Sequence, residues 1–480
     1  MISLSNDDVY NELLERLDIA IIQLNELKVN RILRLDTAFY DKIAIAYDKK
    51  IKSHKHYFIP ETQVVSGPFG SSLKSTAYLN SGIPFIRIED IKGGFTVNRS
   101  QMVYISIDDN NRLKNSQLLV DDLVLSKVGN SIGFYARIDQ ELGLCNISEN
   151  NIGIKLREFP TERKHFILVY LNSKIGNILT LRRKSGNAQP KLNVFDIAEI
   201  PIPYVSTDFE KLISRTVTKS HDLQTAAILK YKEAELNLLQ NLGLNTWQPS
   251  REQLSLRLFK DITDAGRIDA EYYQPKYDEI KARLQKTSDG TVATECILFD
   301  KNFHPEKAVE YKYIELANIG TLGEITGCTV GTGTELPSRA RRIVHSGDII
   351  ISSIEGSLQS CALITDEYDG ALCSTGFYVL RSENINSETL LTLFKSEPVQ
   401  ALLKQQCSGT ILTAFGKDGL LSIPIPQIQE DLQHMIKKSI TESFDLRQQS
   451  IQLLDTSKHA VEIAIKRSEA AAIEYLNNTI

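Results

Sequence analysis

The apolar and polar positions of this chain run through one series of rhythms and then run through it again. From about Asn6 to Val29, the residues Val9, Leu13, Leu17, Ile21, Leu24 and Leu27 fall at helical spacing, with Asn6 or Asp7 placed to cap the start. From Tyr57 to Pro203 the pattern breaks into short apolar runs: Val64-Val65, Ile83 to Ile88, Met102 to Ile105, Leu123 to Leu125, Phe134 to Ile138 and Ile152 to Ile154. Runs of this length, separated by turn residues, predict strands of a small twisted or barrel-like sheet. A helix is predicted from Phe166 to near Gly186. Beyond it Ile213, Val217, Ser220, Gln224, Ala227, Tyr231, Ala234 and Leu238 alternate steps of four and three, the 3.5-residue period of a coiled-coil seam, with Gly243 as its stop. Then the series recurs. Ile349-Ile350-Ile351 and Phe377 to Leu380 predict strands, Ser387 to Gln406 a helix, and Leu432, Ile436, Ile440, Phe444, Arg447, Ile451, Leu454, Lys458, Val461 and Ile465 a second seam.

The repetition extends to individual residues. Arg34-Leu35-Asp36 with Phe39-Tyr40 corresponds to Arg267-Ile268-Asp269 with Tyr272-Tyr273, Ile83 to Arg87 to Tyr311 to Ile314, and Val124 to Lys127 to Ile350 to Ser353. Gly143-Leu144-Cys145 lines up with Ala371-Leu372-Cys373, Ser185-Gly186 with Ser408-Gly409, and Ile200-Pro201-Ile202-Pro203 with Ile423-Pro424-Ile425-Pro426. A period of roughly 220 to 230 residues far exceeds the 20 to 50 of a solenoid unit, so the chain is a duplication of whole domains. The anchors match while the polar residues between them do not. Two copies performing one reaction should share their polar residues, whereas copies sharing a scaffold are free to read different things.

Length divides accordingly. The 480 residues are read as an N-terminal helical segment 1–33, a first domain 34–207, a central helix 208–245, a linker and second domain 246–428, and a C-terminal helix 429–480. No stretch approaches about 18 uninterrupted apolar residues, and the start Met1 to Asp8 lacks the basic and apolar regions of a signal peptide, which predicts a cytoplasmic protein without a membrane partner. Six cysteines, Cys145, Cys296, Cys328, Cys361, Cys373 and Cys407, are scattered without Cys-x-x-Cys or finger spacing, so buried free thiols are expected and no metal site is assigned. A net charge of -5 argues against a protein that simply coats nucleic acid. The positive charge is nonetheless gathered: Arg163-Lys164-His165, Arg182-Arg183-Lys184 with Lys191, and Arg339-Ala340-Arg341-Arg342 lie in the domains, beside glycine-rich loops.

Taken together, the paired Arg-(Leu/Ile)-Asp…Tyr openings, the Ser-Gly…Ile-Pro-Ile-Pro closings and the long helix after each domain resemble the specificity (S) subunit of type I restriction-modification enzymes, over nearly the whole chain. The resemblance implies a mixed α/β (α+β) fold: two target-recognition domains with small twisted sheets, separated by an antiparallel coiled coil of two long helices. It implies that each domain reads one half of a bipartite, asymmetric site in double-stranded DNA. The helices would bind two modification (methyltransferase) subunits that carry the adenine methylation, and restriction subunits can join them. The first copy departs from the second in having Thr37-Ala38-Phe39 where the second has Ala270-Glu271-Tyr272, which leaves room for a related methylation-based defence system.

Base reading needs hydrogen-bonding side chains on loops held by a rigid body. The candidate DNA-binding residues are therefore Ser71, Lys74, Lys127, Asn130, Arg182, Arg183, Lys184, Gln189 and Lys191 in the first domain, and Thr332, Arg339, Arg341, Arg342, Ser353, Gln359, Thr410 and Lys417 in the second. No catalytic residue and no cofactor is assigned. An adenine methyltransferase should carry a Gly-rich cofactor loop and an Asn/Asp-Pro-Pro-aromatic motif, and neither occurs; Gly416-Lys417-Asp418 lacks the rest of a phosphate loop. The nearest acidic pair is Asp348…Glu355, where Asp348 reads as a turn residue leading a strand. The competing reading is a coiled-coil scaffold whose two globular domains bind protein or carbohydrate.

Overall fold

The computed structural model describes residues 34–479 apart from 35, 92, 94, 100, 130, 187–188, 249–253 and 410–412. The helix expected between Asn6 and Val29 lies outside them. Packing groups the chain into two units, Met1–His221 with Ser450–Ile480, and Asp222–Gln449, and the division runs through both long helices.

In the first unit a five-stranded sheet has the order Val64–Ser66, Asn151–Ile154, Leu123–Ser126, Tyr135–Arg137, Phe95–Thr96. Leu123–Ser126 and Asn151–Ile154 are buried at every position, which is why both lack polar alternation. A three-stranded sheet sets Ile83–Ile86 between Val103–Ile105 and Asn146–Ile147. The closing Ile-Pro-Ile-Pro forms a short strand, Ile202–Pro203, that pairs antiparallel with His56–Tyr57 near the start of the domain. Proline suits such a two-stranded edge, because it has no N–H to donate to a further neighbour.

The second unit repeats this plan. One sheet runs Ile297–Leu298, Phe377–Arg381, Ile349–Ser352, Cys361–Leu363, and another Thr329–Thr332, Glu310–Ile314, Leu372–Ser374, Ala340–Ile343. Its closing motif likewise returns to the domain's start, with Val292 N–H donating to Ile423 O at 2.9 Å and Ile425 N–H to Gly290 O at 2.9 Å. Strand register corrects one expected correspondence. Ile86 pairs in parallel with Ile147, as Ile314 does with Cys373, so Cys373 matches Ile147 and the Gly143-Leu144-Cys145 alignment is two residues early.

Each helix expected after the sheets is two helices. Thr161–Asn172 and Lys174–Leu181 meet at Ser173, and Ser387–Lys395 and Glu397–Gln406 meet at Ser396. Both serines are extended, and both donate their hydroxyl to the carbonyl three residues back at 2.6 Å, which satisfies a helix-end acceptor. In the second unit Pro398 falls within the first turn of the new helix, where its missing N–H costs little.

The long helices are Thr207–Asn241 and Glu430–Lys466, and they run antiparallel within each unit. The seam of the first is buried as expected at Ile213, Val217, Ser220, Ala227, Tyr231, Ala234 and Leu238. That of the second is shifted by one residue in its middle, where Ser443, Ser450 and Ser457 are buried instead of Phe444, Ile451 and Lys458. Counting apolar residues passes over these serines. In the first unit Ser450 Oγ donates to Ser220 O at 2.9 Å, Ser220 Oγ donates to Ser450 O at 3.0 Å, and Ser457 Oγ reaches Thr216 Oγ1 at 2.8 Å. In the second unit Ser443 Oγ donates to Ala227 O at 2.7 Å. A hydroxyl can reach the partner's main chain only where the facing side chains are small, so these helices are held by close backbone approach rather than by a leucine seam. The second helix also stops earlier than expected, at Lys466, and a separate helix, Glu469–Thr479, buries Ala472 and Leu476 in the first unit's core. Among the described residues no helix is long and apolar enough to cross a membrane.

Candidate nucleic-acid interface

The duplicated Arg-x-Asp motif is a clamp built on the same plan in both units. Arg34 Nε and Nη2 donate to the Asp36 carboxylate at 2.8 and 2.9 Å, while Nη1 reaches Arg183 O at 2.9 Å and Nη2 also reaches Lys184 O at 2.6 Å. Arg267 Nε and Nη2 donate to Asp269 at 2.8 and 2.7 Å, and Nη1 and Nη2 reach Gln405 O at 3.1 Å and Cys407 O at 3.0 Å. Each guanidinium also lies over an aromatic face, Phe39 at 4.4 Å and Tyr272 at 4.5 Å. The carbonyls it takes follow or end the helices Lys174–Leu181 and Glu397–Gln406, where backbone acceptors lack intrahelical donors and a cation is favoured. Hydrogen bonds from the arginines hold both aspartates below the usual carboxylate range.

Lys184 and Cys407, which carry the last of the clamped carbonyls, are each followed directly by Ser-Gly. Ser185 bridges Lys191 and Ser408 bridges Ala414, with Gly186 at φ 94° and Gly409 at φ 121°, a conformation that a side chain would strain. Each turn is then stitched to the loop leaving the central buried strand. Val128 bridges Lys191 and Leu192 N–H donates to Lys127 O at 3.0 Å; Ile354 bridges Ala414 and Phe415 N–H donates to Ser353 O at 3.0 Å. Equivalent places are thereby fixed by hydrogen bonding. Lys127 stands where Ser353 does, and Lys191 where Ala414 does.

Around this frame the first unit gathers most of its candidate loops. Lys127 Nζ contacts Ser66 Oγ at 3.5 Å, Lys127 N–H donates to Asn150 O at 2.7 Å, and Gly67 N–H to Asn151 O at 3.2 Å. The loop from Ser66 is held further by Gly70 N–H on the Glu149 carboxylate; at its tip Phe69 is 82% exposed, and Ser71 and Lys74 are exposed nearby. Lys184 and Gln189 line an open cleft of about 560 Å³ walled by Phe134 and Asn177. Among the described residues, the ammonium groups of Lys74, Lys184 and Lys191 have no carboxylate partner. Asn130 lies outside the described residues.

Arg182 and Arg183 do not belong to this rim, which corrects the expectation that both contact phosphate. Arg183 is buried, donating to Glu199 Oε2 at 2.8 Å and Glu199 O at 2.7 Å. Arg182 Nε donates to Phe39 O at 2.9 Å, its guanidinium lies 4.6 Å from the Phe39 ring, and burial lowers its pKa. The Arg163-Lys164-His165 cluster is internal as well. Arg163 pairs with Glu210 on the first long helix, and His165 Nδ1 is 2.9 Å from Ser214 Oγ on the same helix. Charge runs in sequence cannot separate cations that cap carbonyls from cations that face solvent.

In the second unit Thr375 N–H donates to Arg339 O at 2.9 Å and Ser353 N–H to Gly376 O at 3.0 Å, which brings Arg339 and Ser353 to one edge. Arg339 is exposed, and Arg342 has buried Nε and Nη1 atoms without a hydrogen-bond partner. Arg341 Nε donates to Ser338 O at 3.1 Å. Lys417 is already paired, with Asp300 Oδ2 at 2.5 Å. Two candidates stand apart. Thr332 lies on the opposite edge strand of its sheet from Arg341 and Arg342, with its hydroxyl on Glu335 at 2.8 Å, and the Gln359 carbonyl receives Lys395 Nζ at 2.8 Å. Thr410 lies outside the described residues. Asp348 leads its strand as expected, accepting from His345 N–H at 2.7 Å and pairing with Arg381 at 2.7 Å. Phe69, Phe134 and Glu149 were missed by a search for polar groups; a Gly-Pro-Phe-Gly turn that exposes an aromatic was the available signal for the first.

No protein-family model matches this sequence, nor does any curated protein. Among solved structures it is similar to the S subunit of the type I restriction-modification system from M. genitalium, at 12% identity over 88% of this chain and 95% of that one, with a TM-score of 0.34. It is also similar to the HsdS subunit from Thermoanaerobacter tengcongensis, at 12% identity over 86% and 97% of the two chains and a TM-score of 0.28. A chain from a structural study of assembly and conformational transition in the type I R-M system is 14% identical over 88% and 97%, with a TM-score of 0.26.

Proposed function

We propose that this chain is the sequence-specific DNA-recognition subunit of a cytoplasmic type I restriction-modification complex, or of a related methylation-based defence complex. Each domain reads one half of a bipartite site in double-stranded DNA, and two adenine-modification subunits dock on the chain and carry out the methyl transfer. The observation that supports this most is the clamp, turn and stitched loop built on one plan in both domains, with unlike side chains at equivalent places: Lys127 against Ser353, Lys191 against Ala414. A shared frame with substituted contact residues is what reading two different base sequences requires, since base identity is distinguished by side-chain donors and acceptors. Lys74, Lys184, Lys191 and Arg339 take the phosphate contacts in this reading, and Ser71, Lys127, Gln189, Arg342 and Ser353 the bases.

The test is the chain purified with its modification subunits. Binding to a duplex should weaken linearly in log–log terms with salt, by a slope of about 0.9 per neutralised phosphate, and methylome sequencing of a host carrying the set should give one bipartite motif. A scaffold for carbohydrate or protein would give a flat salt response and no motif.

A further inference from the structure

The duplicated Arg-x-Asp motif makes no contact with DNA in the reading above. It lies at the start of each domain, about 150 residues from the carbonyls it grips in the first unit (sequence separations 149 and 150) and about 140 in the second (138 and 140). Those carbonyls lie within three residues before the Ser-Gly turns. In a planar guanidinium the donors leave in fixed directions, so one arginine that holds a carboxylate and two carbonyls at once fixes the direction in which the chain leaves the helix. The aspartate orients the arginine, with Asp36 Oδ1 further held by Phe39 N–H at 3.1 Å, and the ring beneath restricts it to one plane. In both copies the fixed exit feeds the same bridges, Ser185 to Lys191 and Ser408 to Ala414, which in turn hold the loops carrying Lys127 and Ser353.

We propose that Arg34 with Asp36, and Arg267 with Asp269, are positioning residues for base discrimination, each setting the aim of the reading loops in its own domain and leaving the other domain's half-site untouched. This rests on the DNA-recognition reading. Neither arginine contacts DNA in this account. Each acts through backbone geometry, so a lysine, which keeps the charge but not the fork, should not replace it.

The experiment uses the full chain assembled with its modification subunits. Methylation kcat/KM is measured on the cognate duplex and on duplexes with single base-pair changes in either half-site, for the unaltered chain, Arg267→Lys, Arg267→Ala and Asp269→Asn, and for the Arg34 and Asp36 counterparts. Arg267→Lys is expected to reduce discrimination at least tenfold within the half-site read by the second domain, with less than a twofold change in the other. Arg34→Lys should give the mirror image. Asp269→Asn keeps the shape of its partner and provides a milder case should the arginine variants fail to assemble. If discrimination in both half-sites falls together, or if it stays intact while only thermal stability drops, the clamp merely holds the fold and the inference is overturned. If the unaltered complex shows no sequence preference at all, the DNA-recognition reading fails instead.

Discussion

The rims of the two domains differ in the kind of cation they present. Among the described residues the first carries Lys74, Lys184 and Lys191 without carboxylate partners, and the second offers the exposed Arg339 and the half-buried Arg342, Lys417 being neutralised by Asp300. An ammonium is a compact hydrated charge that favours phosphate with little directional demand, whereas guanidinium presents a planar fork suited to the acceptor edge of guanine. Beneath the rims the comparison reverses, because clamp, turn bridge and stitched loop follow one hydrogen-bonding plan in both copies. The larger divergence lies in the side chains that leave the frame.

The largest effect that could break this comparison comes from exchange. Replacing residues 57–203 with the equivalent segment of another such chain should change one half of the methylated motif completely and leave the other intact, as read by methylome sequencing. A change in both halves would show that the domains do not read independently. Next in size is the helix seam. Ser450→Leu places a branched side chain where two backbones touch, and the overpacking should cost about 1–3 kcal/mol or more in a denaturant melt, whereas Ser450→Ala should cost about 0.5–1.5 kcal/mol from lost hydrogen bonds. Equal, negligible losses would mean that close approach is not what holds the pair.

A sharper test sets a buried against an exposed cation within one domain. Arg183→Ala should lower stability by about 1–3 kcal/mol through lost hydrogen bonds, with solvent screening reducing the charge contribution because Glu199 is partly exposed. The salt slope of DNA binding should stay the same. Lys191→Ala should do the opposite, leaving the melting temperature alone and reducing the slope by about one. Swapped outcomes would reverse the two roles.

The smallest expected effect is a pH dependence confined to the first unit. Burial, with Arg137 adding to it, holds His165 down at about 4, and Asp121, Glu162 and Lys164 are the other charged groups facing it. The unfolded value is about 6.5. Between the two, the unfolded chain binds the extra proton, so stability falls as pH drops through this window and is recovered above it. Asp90, raised to about 6 by burial, works in the opposite direction. Comparing His165→Gln with the unaltered chain isolates the histidine: the opening free energy at the amides of Leu123–Ser126, taken from hydrogen exchange after correction for the intrinsic exchange rate at each pH, should fall less between pH 7 and pH 5 in the variant. An identical fall would leave His165 without a part in acid sensitivity.

Sequence alone determined the duplication, several strands of each domain and the first helical seam, because each rests on periodicity or on a local run such as Leu123 to Leu125 or Ile349 to Ile351. It also placed Ser-Gly and Arg-x-Asp as paired anchors, without indicating that each arginine grips the carbonyl just before its Ser-Gly. That contact spans more than a hundred residues and depends on where a helix ends, which only the folded chain fixes. The second seam went astray because polarity was taken to mean exposure, whereas Ser443, Ser450 and Ser457 bury hydroxyls that find acceptors across the helix pair. Arg182, Arg183 and Lys184 are neighbours in a charge run, yet tertiary structure turns the first two toward Phe39 and Glu199 and the third to a cleft. A cation's role depends on which acceptors surround it, and those acceptors come from distant parts of the chain.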